Sequence, residues 1–103
     1  MWILRSVEQP EGPEAAAPQF TFRLAPGAIK TVGRSTRADF IVDAGLVSRL
    51  HCRLTAGGES VEAVDLASTN GTYLNDTRVE RALLTTGDRL RVGRVEFTIE
   101  RQS

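Results

Sequence analysis

The run Arg89-Leu90-Arg91-Val92-Gly93-Arg94-Val95-Glu96-Phe97-Thr98-Ile99-Glu100 holds two strand-like segments separated by a Gly-Arg turn. In an extended chain Val95, Phe97 and Ile99 share one face while Glu96, Thr98 and Glu100 share the other, which suits a strand with one buried and one wet side. The same period of two recurs upstream. Phe20, Phe22 and Leu24 alternate with Thr21 and Arg23, and Leu50, Cys52 and Leu54 alternate with His51, Arg53 and Thr55, so each apolar trio is expected to point inward. Turn signals separate the runs at Pro26-Gly27, Gly57-Gly58, Asn75-Asp76 and Gly87-Asp88. No window sustains an apolar i, i+3, i+4, i+7 stripe, and Glu80–Leu84 reads as the start of a helical turn that Thr85-Thr86-Gly87 stops. Strands are predicted near Trp2–Val7, Phe20–Leu24, Ala28–Gly33, Phe40–Val42, His51–Thr55, Val61–Leu66, Thr72–Leu74, Thr77–Val79, Arg89–Val92 and Val95–Arg101. Many short strands with frequent turns predict an all-β fold, a sandwich of antiparallel strands.

The length of 103 residues fits one domain, residues 1–103, and Glu8–Gln19, with three prolines and three consecutive alanines, reads as a loop between the first two strands. A chain of this size buries roughly two thirds of its unfolded surface and needs no disulfide framework or structural metal. A single cysteine forms no internal bridge, and no Cys/His cluster has zinc spacing, so neither metal nor cofactor is expected. Thirteen basic residues balance thirteen acidic ones, which argues against a nucleic-acid partner, since those usually call for a basic stripe. The longest apolar run, Met1–Leu4, is far short of a signal peptide or a membrane span, so no membrane association and an intracellular location, cytoplasmic or nuclear, are expected. The last strand ends just before Gln102-Ser103, as in a domain cut from a larger protein.

Three clusters lie at expected strand ends: Gly33-Arg34-Ser35, Ser48-Arg49-Leu50-His51 and Ser68-Thr69-Asn70-Gly71-Thr72. Loops at one end of a sandwich converge, so the clusters can share a rim. They offer two guanidinium groups, hydroxyls, a carboxamide and backbone amides, with no carboxylate among them. That inventory suits a dianionic phosphate. A hydrolytic triad could be drawn from Ser48, His51 and Asp65 or Asp88. Ser48, however, lacks a G-x-S-x-G elbow, and a strand that began early enough would set Ser48 and His51 on opposite faces. No G-x-x-x-x-G-K loop is present either. No catalytic residue is therefore assigned, and the protein is not expected to be an enzyme.

The order and spacing of G-R, S-R-x-H and S-T-N-G-T followed by Asn75 resemble the forkhead-associated (FHA) domain, a family of phosphothreonine-peptide readers. The close match runs from about Thr31 to Asn75. The resemblance implies a sandwich of two antiparallel or mixed sheets, about eleven strands, with binding loops at one end. It also implies a phosphothreonine-dependent signalling adaptor whose partner is the product of a Ser/Thr kinase. Arg34 would clamp the phosphate and Ser48 would donate its hydroxyl to it. Arg49 would contribute through backbone or side chain, Thr69 would support the pocket, and Asn70 would bond the peptide backbone. Gly33, His51, Gly71 and Asn75 would hold the binding loops. Leu46 and Val47, just before Ser48, would favour an apolar peptide side chain a few residues downstream of the phosphothreonine. The alternative on the same fold is a protein-interaction domain that ignores phosphorylation.

Overall fold

The computed structural model describes residues 1–7 and 19–102. Eleven strands follow in chain order: β1 (Trp2–Ser6), β2 (Thr21–Leu24), β3 (Ile29–Gly33), β4 (Phe40–Ile41), β5 (Cys52–Ala56), β6 (Val61–Asp65), β7 (Thr72–Leu74), β8 (Thr77–Val79), β9 (Arg81–Leu84), β10 (Arg89–Val92) and β11 (Val95–Arg101). They form a six-stranded sheet, β2-β1-β11-β10-β7-β8, and a five-stranded sheet, β4-β3-β5-β6-β9. Every pairing is antiparallel except that of β3 with β4. The expected β-sandwich is borne out, and there is no helix among the described residues. The loop expected over Glu8–Gln19 lies outside them, save for Gln19.

The alternating residues build the core as expected. In the β10–β11 hairpin Leu90 pairs with Phe97 and Val92 with Val95. Leu90, Val92, Phe97 and Ile99 are buried in one cluster with Leu54, Val61 and Leu84 of the other sheet. Two contacts bind the layers at their margins. Trp2 Nε1–H donates to Gly57 O at 2.9 Å, which gives the buried indole its acceptor. Phe22 of β2 stacks on Phe40 of β4, centroids 4.4 Å apart, joining one edge strand of each sheet.

Two expectations fail. Glu80–Leu84 is no helical turn: Arg81–Leu84 forms β9, pairing Leu84 with Val61 and Ala82 with Ala63. Its alternation is hidden because the outward residue is Leu83, 64% exposed, so Ala82-Leu83-Leu84 reads as an unbroken apolar run. Leu50 does not point inward with Cys52 and Leu54. It is 42% exposed, because β5 begins only at Cys52 and His51 takes the buried place before it.

Register fixes which loops meet. Val32 pairs with Cys52 and Cys52 with Asp65, while Val92 pairs with Thr72. The end of β3, start of β5, end of β6, start of β7 and end of β10 therefore lie at one end of the sandwich, and all three motif-bearing loops open there.

Candidate functional site

Gly33 sets the first contact at that end. A Cβ at residue 33 would lie 2.0 Å from Arg49 O and 2.9 Å from Leu50 Cα, so only glycine lets the two backbones touch. The touching segments are then zipped by Arg34 N–H to Ser48 O at 2.9 Å and Ser35 N–H to Arg49 O at 3.1 Å. This fixes Arg34 beside Ser48 and Arg49, with both arginine side chains exposed.

His51, fully buried, joins the second loop to the third. Its Nδ1 lies 3.1 Å from the Ser48 amide and accepts that N–H, which leaves the ring proton on Nε2 to be donated to Gly71 O at 2.8 Å. Ser48 Oγ in turn accepts the Thr69 N–H at 3.0 Å, so its hydroxyl hydrogen remains for another acceptor. Asn70 Nδ2 donates to Leu46 O at 3.1 Å, crossing back to the second loop. Gly71 adopts φ +88°, the left-handed region that glycine occupies without steric cost.

Asp65 organises the third loop from below. Its carboxylate accepts the Ser68 hydroxyl (2.5 Å), the Ser68 N–H (3.1 Å) and the Thr72 hydroxyl (2.7 Å), and Ser68 Oγ accepts the Gly71 N–H (2.9 Å). Burial alone would raise the Asp65 carboxyl, but these bonds from Ser68 and Thr72 outweigh it and hold it below the ordinary carboxylate value. The sequence reading passed over this role of Asp65, although a short Asp three residues before a Ser is a common loop-forming pair. Gly93, expected only as a turn residue, also touches the site. It sits at φ +58°, and a Cβ there would meet Gly45 O and Val47 Cγ2 at 2.8 Å, so the β10–β11 turn presses directly on the second loop.

The five residues named for ligand contact, Arg34, Ser48, Arg49, Thr69 and Asn70, line one open cleft of about 530 Å³, together with Leu46. No carboxylate lines it, and neither arginine has an ion pair among the described residues. Of the rim amides, those of Arg34, Ser35, Ser48, Thr69 and Gly71 are bonded internally, whereas among the described residues those of cleft-lining Arg49 and Asn70 are not. Leu46 is half exposed at φ +67°, whereas Val47 is buried.

Asn75 is the exception. It bonds Asp88 Oδ1 through Nδ2, accepts the Arg89 N–H on Oδ1, and donates its own N–H to Arg89 O. These partners lie at the opposite end of β7 from Gly71, so Asn75 secures the β7–β8 turn to the start of β10 and not the binding loops. Residues 75 and 76 both have positive φ, as a tight type I′-like hairpin requires.

The triad residue types are wired otherwise. Both His51 nitrogens are taken by backbone groups, Asp65 holds Ser68 and Thr72, and Asp88 bonds Asn75 and Thr85 at the far end. Cys52 is fully buried, and burial pushes its thiol up to about 12. Among the described residues no group of three or more His, Cys, Asp or Glu could hold a metal.

The FHA domain family model matches residues 30–93, the segment that carries all three loops. The chain belongs to the FHA domain family. This FHA domain is 36% identical over 79 residues to an ABC transporter ATP-binding/permease protein of Mycobacterium tuberculosis, covering 77% of this chain and 9% of that protein. It is 36% identical over 67 residues to the glycogen accumulation regulator GarA of the same species, covering 65% of this chain and 41% of the regulator. The chain thus spans less than half the length of these relatives. A solved structure from an analysis of phosphothreonine-dependent FHA domain interactions superposes with a TM-score of 0.77 at 26% identity, covering 99% of this chain and 97% of that one. No helix among the described residues is long and apolar enough to cross a membrane.

Proposed function

We propose that this FHA domain binds phosphothreonine peptides and serves as a non-enzymatic signalling adaptor inside the cell, recruiting products of a Ser/Thr kinase. The observation that carries this is the cleft itself. Two unpaired guanidinium groups, a serine hydroxyl with a free hydrogen and a carboxamide converge where no carboxylate competes. Arg34 supplies a charged fork to the phosphate, Ser48 its hydroxyl hydrogen, and Arg49 a second positive charge. Thr69, pinned to Ser48 through its amide, shapes the pocket floor. Asn70 has its carboxamide oxygen left for the peptide backbone, since only its Nδ2 is engaged, with Leu46 O. Half-exposed Leu46 offers an apolar contact for a downstream peptide side chain.

Calorimetric titration of one peptide in three forms tests the reading: phosphothreonine, threonine and glutamate at the same position. Phosphothreonine brings about −1.5 to −2 charge and three acceptor oxygens, glutamate one charge and two. Only the first form is expected to bind measurably. Equal binding of the threonine form would refute the proposal, and a glutamate form within twofold would mean that bulk charge is read instead of a shaped group.

A further inference from the structure

Beside the cleft described above, and sharing Arg49 and Leu50 with it, lies a second depression of about 590 Å³ completed by Ser35 and Arg37. We propose that this depression is a second anion subsite, which takes an acidic or phosphorylated side chain of the same peptide next to its phosphothreonine. The inference rests on the phosphopeptide reading and adds to it the charge pattern of the partner.

The case begins with unsatisfied charge. Several surface arginines are engaged: Arg5 with Glu100, Arg81 with Glu62, Arg89 with Asp76 and Glu96, and Arg91 over the Tyr73 ring at 4.4 Å. Arg37 and Arg49 have no such partner among the described residues, and both are exposed. No carboxylate lines the depression. The acid nearest to Arg37 in sequence, Asp39, accepts the Thr31 N–H (2.9 Å) and the Thr31 hydroxyl (3.2 Å).

The arrangement is also held in place. Ser35 donates its N–H to Arg49 O and accepts the Arg37 N–H on Oγ at 3.1 Å, so one residue fixes the backbone of Arg37 against that of Arg49. The Ser35 hydroxyl hydrogen is left for a ligand. Two guanidinium forks and a hydroxyl match a carboxylate or a phosphate equally in kind, with the phosphate offering more charge and more acceptors. Because the chain as a whole is neutral, the attraction is a property of this corner and not of the whole surface.

The test is a peptide walk. One phosphothreonine is kept fixed while a glutamate, or a second phosphothreonine, is moved through the flanking positions, and each peptide is titrated by calorimetry into wild type, Arg37→Ala and Arg37→Lys. Arg37 is exposed and bonded only through its backbone, so the fold should survive both changes. At one position the second anion should strengthen binding to wild type by about threefold or more, the scale of a solvent-exposed ion pair. The gain should be larger for phosphothreonine than for glutamate, lost in Arg37→Ala and partly kept in Arg37→Lys. A peptide with one phosphothreonine should bind wild type and Arg37→Ala alike. Gains of equal size in wild type and Arg37→Ala, or no gain at any position, would overturn the second subsite while leaving the first intact. Failure of every phosphothreonine peptide to bind wild type would overturn both.

Discussion

Replacing Gly33 by alanine tests how the cleft is assembled. The added Cβ would fall 2.0 Å from Arg49 O, 2.8 Å from Arg49 C and 2.9 Å from Leu50 Cα, all backbone atoms that cannot rotate aside. Carbon–oxygen contacts relax near 3.3 Å, so the two segments must part by roughly 1.3 Å. Parting breaks the bonds from Arg34 N–H to Ser48 O and from Ser35 N–H to Arg49 O, each worth about 1 kcal/mol net. Residual overpacking adds about 1–3 kcal/mol. The expected loss is therefore about 3–5 kcal/mol, a fall in melting temperature of roughly 12 °C or more for a domain of this size. Gly45→Ala is the control, because a Cβ there meets nothing within 4 Å and its φ is not in the left-handed region; it should change stability by no more than about 0.5 kcal/mol. Urea unfolding of both variants gives the comparison. If Gly33→Ala unfolded at the same midpoint as Gly45→Ala, close backbone approach would not be the reason for glycine at this position.

Arg34→Ala should leave the melting temperature unchanged but weaken phosphopeptide binding by about 25-fold or more, read by calorimetry, since truncating one side of a desolvated charge pair costs about 2–5 kcal/mol. His51→Ala should act the other way round, losing about 2 kcal/mol or more of stability by orphaning the Ser48 N–H and Gly71 O; unchanged melting with lost affinity would move His51 into the binding surface. Asp65 should make stability depend on acid. Its folded value is depressed, so its contribution is complete above the unfolded carboxylate range near pH ~4 and is lost as pH falls through the folded value. Melting curves from pH 6 to pH 2 should accordingly fall more steeply for wild type than for Asp65→Asn.

The fold was legible wherever one face of a strand is wet. Val95–Glu100 and Phe20–Leu24 announce themselves because charge or threonine alternates with apolar residues. Arg81–Leu84 does not, because β9 is an edge strand whose outward residue is a leucine. Leu50 misleads for the opposite reason: the alternation is genuine, but β5 begins two residues later and a histidine fills the buried slot. At the site, the residues that face the cleft were legible from motif spacing. The scaffold beneath them was less so. Gly93 acts through backbone proximity across the sandwich, which no local pattern records, whereas Asp65 acts through Ser68 and Thr72 of its own loop. Asn75 was assigned to the wrong end because sequence proximity to Gly71 hides the length of β7 between them.

The internal bonding of the rim amides has a consequence for how such a domain changes over generations. Five of the amides that converge at the cleft are already committed to holding the loops to one another. The loop frame, with the amides it leaves open at Arg49 and Asn70, persists whatever side chains it carries, and side chains are what single codon changes alter. Loss of one guanidinium would leave every loop bond in place and produce a sound scaffold that no longer hears its signal. Inheritance can thus silence or retune this cleft without endangering the protein that carries it, whereas a change at Gly33 or His51 removes the listener and its frame together.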